Sequence, residues 1–169
     1  MSEVSAWQPY RRCHAESQLW SLPAGASAAR TVHACLSGQL ARWQLAAAAP
    51  RLTAVGGELA GNALRHGRPP FWANLHLLTG PDGEELARLV VVDCGPGFDA
   101  DAVRAGWSAG AARRGEPEGL SGWLGWSPQA DDPPRPGGGL LLVEALSDAW
   151  GTIRLPPVHL VWADVAVVG

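Results

Sequence analysis

Between Pro23 and Trp43 the apolar residues Ala29, Val32, Leu36, Leu40 and Trp43 recur at intervals of three and four, the period of one helical face. Arg30, His33 and Ser37 share the opposite side. Pro50 suits the first turn of a second helix, which the pattern carries to His66 before Gly67 and Pro69-Pro70 stop it. Residues 72–79 and 86–92 read as strands, the second of them a continuous apolar run suited to a buried position. Pro81-Asp82-Gly83 is a turn signal between them. Asp93-Cys94-Gly95-Pro96-Gly97-Phe98 then forms a tight loop. Residues 105–138 are rich in Gly, Pro, Ala and Trp and show no period, which predicts a lid near 105–136. Gly137-Gly138-Gly139 opens an apolar helix from Leu140 to Asp148, and strands near 150–155 and 159–167 close the chain. Residues 1–18 read as a loosely attached arm and 19–169 as a single domain. The order predicts an α/β (α+β) two-layer sandwich, with helices on one face of a mixed sheet.

Composition narrows what such a domain does. At 169 residues, 47% apolar and 17% charged, the chain supports a globular core. A net charge of -3 argues against a nucleic-acid scaffold. No apolar run reaches the ~18 residues of a membrane span, and no signal peptide is visible, so a cytoplasmic location is expected. Three cysteines without a C-x-x-C suit a reducing compartment. All 13 basic side chains are Arg, so a Walker A loop, a kinase lysine of the eukaryotic type and Schiff-base chemistry are excluded.

Three motifs carry candidate chemistry. Glu58-x-x-x-Asn62 places a carboxylate and an amide on one face of the second helix, beside the stripe of Leu52, Val55, Leu59 and Ala63. Glu58 can take a proton from a hydroxyl, and Asn62 can offer an oxygen to Mg²⁺. Asp93-x-Gly95-x-Gly97 ends the apolar strand, where a carboxylate can accept hydrogen bonds from an exocyclic amine such as that of adenine. Gly137-Gly138-Gly139 before Leu140-Leu141 leaves N–H groups at a helix start, a position that attracts anions. Taken singly, each motif also suits ordinary structure: a polar helix margin, a solvated turn, a linker into a core helix.

Their order carries more. E-x-x-x-N on a helix, D-x-G-x-G after a strand, a lid, then a glycine-rich helix start resembles the N, G1 and G2 boxes of the GHKL superfamily, shared by DNA gyrase, histidine kinases and MutL. With the ending ALSDAWG, the chain is most similar to the anti-sigma regulatory factor serine/threonine kinases (RsbW-type), over about residues 20–165. The resemblance implies the Bergerat ATP-binding fold, with a mostly antiparallel sheet, and ATP with Mg²⁺ as ligands. It implies Glu58 as general base, Asn62 as Mg²⁺ ligand and Asp93 reading the adenine amine. Gly95 and Gly97 would shape that loop, and Gly137, Gly139 and the backbone of Leu140 and Leu141 would hold phosphates. It further implies phosphoryl transfer to an anti-anti-sigma partner, sigma-factor binding in the alternative state, a possible homodimer, and no direct contact with nucleic acid or membrane. The face of Arg30, His33 and Ser37 is the expected partner surface.

The chain departs from its relatives in two places. Gly138 stands where the G2 box usually carries Arg, and Val158-His159-Leu160 replace a Gly-Lys-Thr before Val161-Trp162. Arg65, Arg68, Arg113, Arg114 and Arg135 are candidates to supply the missing charge. Two further functions therefore compete: a non-catalytic, ATP-dependent binding regulator, and a detached ATPase domain of the histidine-kinase type.

Overall fold

The computed structural model describes residues 12–79, 83–114 and 138–167. In chain order these form β1 (Arg12–Leu22), α1 (Ala28–Arg42), a short 3-10 turn (Ala46–Ala48), α2 (Ala49–His66), β2 (Phe71–Thr79), β3 (Glu85–Asp93), α3 (Ala100–Arg114), α4 (Gly138–Leu146), β4 (Ala149–Leu155) and β5 (Val158–Ala166). The strands make one sheet in the order β1-β2-β3-β5-β4. All four pairings are antiparallel, so the sheet is antiparallel throughout rather than mixed.

The helices lie on one face, as expected of a two-layer sandwich. Ala87, Leu89 and Val91 of β3 and Val161, Ala163 and Val165 of β5 point into that layer, every second residue along each strand. They meet Val32, Leu36 and Leu40 of α1, Leu52, Val55 and Leu59 of α2, and Leu140 and Val143 of α4, all in one core. α2 lies at the centre of the helical layer. Gly56 lets α1 close upon it, because a Cβ there would stand 2.6 Å from Leu36 Cδ1 and 2.7 Å from Val32 Cγ1. Arg51 ties α2 to the end of α4, donating to the Leu146 carbonyl at 3.0 Å and to Asp148 at 3.2 Å. Asp148 also accepts the Ala166 amide of β5 at 2.6 Å.

Two segments are more ordered than the pattern suggests. The last part of the expected arm is strand: β1 pairs with β2 from Arg12↔Thr79 to Leu22↔Phe71, with an irregularity between Cys13 and Ser17. Pairing with β2 supplies an order that the local sequence does not signal. The first part of the expected lid is helix. Asp99 caps α3 by accepting the Ala102 amide at 2.9 Å. Trp107 of α3 lies 6.2 Å from the ring of the buried Trp150. Arg104 sits over that same ring, at 4.3 Å. The rest of the lid, like the start of the arm, lies outside the described residues.

The sheet's other face carries Leu86, Val90 and Trp162, together with a buried charged pair. Arg88 and Asp164 stand opposite each other on β3 and β5 and bond at 2.6 and 2.7 Å. His76 faces Arg88 across the β2–β3 ladder, and its Nδ1 is buried without a hydrogen-bond partner among the described residues. Burial, and then the charge of Arg88, hold this imidazole below its ordinary range.

A pH dependence follows. As pH falls, the unfolded chain takes up this proton before the folded one. The contribution is therefore complete above about pH 6.5, the ordinary histidine value, and is lost as pH drops below it. The wild-type advantage in Tm over His76→Gln should shrink between about pH 7.5 and 5.5, read by thermal melts of both chains. Parallel Tm–pH curves would show that His76 is not the group responsible.

Candidate functional site

Asp93 is the last residue of β3 and follows the alternation of Leu89 and Val91, so its side chain points under the helical layer. At 4% exposure it is no solvated turn residue. One carboxylate oxygen accepts the Gly95 amide at 2.6 Å, and the other lies 3.2 Å from Nδ1 of His159. His159 is its cross-strand neighbour on β5 and is 3% exposed.

Three glycines enclose this pair. A Cβ on Gly67, just past α2, would stand 2.5 Å from the Asp93 carboxyl carbon and 2.6 Å from the Ala63 carbonyl. One on Gly95 would stand 2.7 Å from Asp93 and equally close to the Gly67 backbone. One on Gly97 would stand 2.8 Å from His159 Cγ, and Gly97 also takes φ +70, where a side chain is strained. The glycines of the G1-like loop are thus required by the packing of Asp93 and His159.

Glu58 and Asn62 lie on α2, one turn apart. Glu58 reaches across to the first turn of α4, where its carboxylate lies against Gly139. The anion-attracting helix start therefore faces an acid, although that acid comes from a different helix. Leu140 is buried in the core and Leu141 half-buried, so their side chains anchor this turn. Gly137 lies outside the described residues. Asn62 Oδ1 accepts from Arg65 at 2.9 Å, and its Nδ2 is buried without a partner among the described residues.

α2 is thus the spine of the site. Its middle carries Glu58 against α4, and its end carries Gly67 against Asp93. At 1.5 Å per residue these points are about 13 Å apart. Beside Asp93 a cleft of about 350 Å³ opens between Arg68, Cys94, Arg154 and Pro157. Arg154 braces it by donating to the Pro96 carbonyl at 2.9 Å. Of the candidate cations, Arg65 stands at Asn62 and Arg68 on this cleft; the side chains of Arg113, Arg114 and Arg135 lie outside the description. Sequence reasoning did not assign His159 or Gly67 to the site. The signal for His159 was a histidine just before Val161-Trp162 in the last strand, but only the β3–β5 register puts it beside Asp93.

No family model matches the chain. No curated protein matches it either. Among solved structures, a chain in the crystal structure of the SiaB-SiaC complex from Pseudomonas aeruginosa is similar, at 14% identity, with 98% of this chain and 95% of that chain covered and a TM-score of 0.45. No helix among the described residues is long and apolar enough to cross a membrane.

Proposed function

We propose that this chain is an ATP-binding regulatory protein, an anti-sigma factor serine/threonine kinase that acts on an anti-anti-sigma partner. The observation that supports it best is the single helix α2, which carries Glu58 against the start of α4 and Gly67 against Asp93. Motifs far apart in sequence are thereby tied to one helix. Its span of about 13 Å suits an extended nucleoside triphosphate lying from Asp93 to the first turn of α4.

The residues present fit such a ligand. Asp93 keeps acceptor capacity beyond its two bonds, since an ionised carboxylate offers about four lone-pair sites. The first N–H groups of α4 lack helical partners, so Gly139, Leu140 and Leu141 have amides to give to phosphate oxygens. Glu58 lies beside that turn and is placed to accept the proton of an attacking hydroxyl. Asn62 would offer Oδ1 to Mg²⁺ once Arg65 releases it. The metal would supply charge neutralisation of the phosphates. The exposed Arg30 and His33, with Ser37 beside them, form the surface we assign to the partner.

The Arg65–Asn62 bond also favours a second reading, a binding regulator without phosphotransfer, because a cation there competes with Mg²⁺ for the same oxygen.

Calorimetric titration with ATP, with and without Mg²⁺, tests the shared premise. Asp93→Asn should weaken ATP binding about 10- to 100-fold, the worth of a hydrogen bond to a charged group, with the far-UV spectrum unchanged. GTP should compete poorly, because guanine offers a carbonyl where adenine offers its amine. Equal affinities for ATP and GTP would sink the assignment of Asp93.

A further inference from the structure

The sheet face opposite the helices is more deeply buried than its described neighbours explain. The helices pack on the face of Ala87, Leu89 and Val91, and among the described residues no element lies on the other face. Yet Leu78, Leu86, Arg88, Val90, Trp162 and Asp164 point to that other face, each at 5% exposure or less. Side chains stand roughly perpendicular to a sheet, so cross-strand neighbours shield their flanks and leave their tips facing outward. Burial of the tips, those of the charged Arg88–Asp164 pair included, calls for a layer above them.

The burial is uneven, and its gradient has a direction. The buried residues occupy the half of the face nearer Thr79 and Glu85. Nearer Asp93, the row of Trp72, Val92, Leu160 and Ile153 is only half-buried, and Leu155 is 59% exposed. β1 begins at the buried end, where Arg12 pairs with Thr79 and Cys13 with Leu78. The chain before Arg12 therefore enters at the covered half. Residues 115–137 do not, because α3 before them and α4 after them both pack in the helical layer. Residues 80–82 and 168–169 are too few to cross a sheet whose five strands span about 19 Å.

We propose that residues 1–11 lie across this half of the sheet as its outer layer, anchored by Trp7 and Tyr10. This does not rest on the nucleotide reading. Tyr10 precedes Arg12 by two residues, which places it within reach of Leu78 and Leu86 on the next strands. Trp7 precedes it by five, a reach of about 17 Å in extended chain. That suffices for Val90 and for Trp162, the latter three strand spacings or about 14 Å from β1. Both aromatic rings bury large apolar areas, as the apolar part of this face requires. The segment is then an integral layer of the fold, and it keeps water from the Arg88–Asp164 pair.

Nuclear Overhauser contacts in the full chain, with its methyl groups labelled, test this without a variant. The Trp7 or Tyr10 ring protons should contact methyls of Leu78, Leu86 or Val90. A mixture of labelled and unlabelled chains distinguishes the source: contacts confined to one chain support the proposal, and contacts between chains overturn it in favour of a second copy on this face. Trp7→Ser should also lower the urea midpoint by about 1 M. Absence of the ring–methyl contacts, or a Trp7→Ser chain with the wild-type midpoint, overturns the proposal.

Discussion

Asp164→Ala is expected to destabilise the fold by about 3–5 kcal/mol, because it removes the carboxylate from a buried pair and leaves the Arg88 charge inside. Arg88 and Asp164 side chains are 3% and 1% exposed, and they meet through two parallel hydrogen bonds. The Arg88 guanidinium also lies over the Trp162 ring, 4.6 Å from its centroid. Such a pair contributes little net stability compared with apolar residues of the same volume, yet breaking one half is severe. The double change Arg88→Met with Asp164→Leu should therefore recover most of the loss. Urea denaturation of the three chains measures this. A loss under about 1 kcal/mol for Asp164→Ala would mean that the pair is solvated in solution and does not act as a buried ion pair.

Glu58→Ala is expected to leave ATP binding within a few-fold of wild type while slowing phosphotransfer to the partner by at least ~10²-fold, the usual cost of losing a general base. The separation follows from position: Glu58 lies against the first turn of α4, at the middle of α2, about 13 Å along the helix from the end that meets Asp93. Removing its charge also relieves repulsion at the turn assigned to phosphates, so ATP affinity should hold or rise slightly. Single-turnover transfer of labelled phosphate, with ATP affinity measured on the same protein, separates the two effects. Equal transfer rates in wild type and variant would remove Glu58 as the base. A wild type that binds its partner only with ATP and transfers nothing would leave the binding-regulator reading standing.

The helical layer was legible because its signals are local. The three-and-four spacing from Val32 to Leu40 and from Leu52 to Ala63 reflects which face meets the core, and both helices form where it places them. The strands β2 and β3 and the closing pair β4 and β5 were legible for the same reason. β1 was not. Its residues gain strand geometry from β2, and a pairing partner some 60 residues away leaves no mark on local periodicity. α3 was missed for another reason. Asp99 is a proper cap and Ala100, Ala102 and Arg104 favour helix, but Gly106 and Gly110 blur its period.

The sequence by itself determined the element types of α1, α2, α4 and β2 to β5, the absence of lysine chemistry, and the three motifs that Glu58, Asp93 and Gly139 belong to. Each of these is a property of residue type or of neighbours within one or two turns. The tertiary structure decided which of these residues meet. It set Glu58 against Gly139 and Gly67 against Asp93 through α2 packing, and His159 beside Asp93 through the β3–β5 register. It also gave the loop glycines a reason that local sequence lacks, since a Cβ on Gly95 would strike the Gly67 backbone and one on Gly97 would strike His159. Side-chain proximity across strands and helices depends on how faces pack, and no local pattern encodes that.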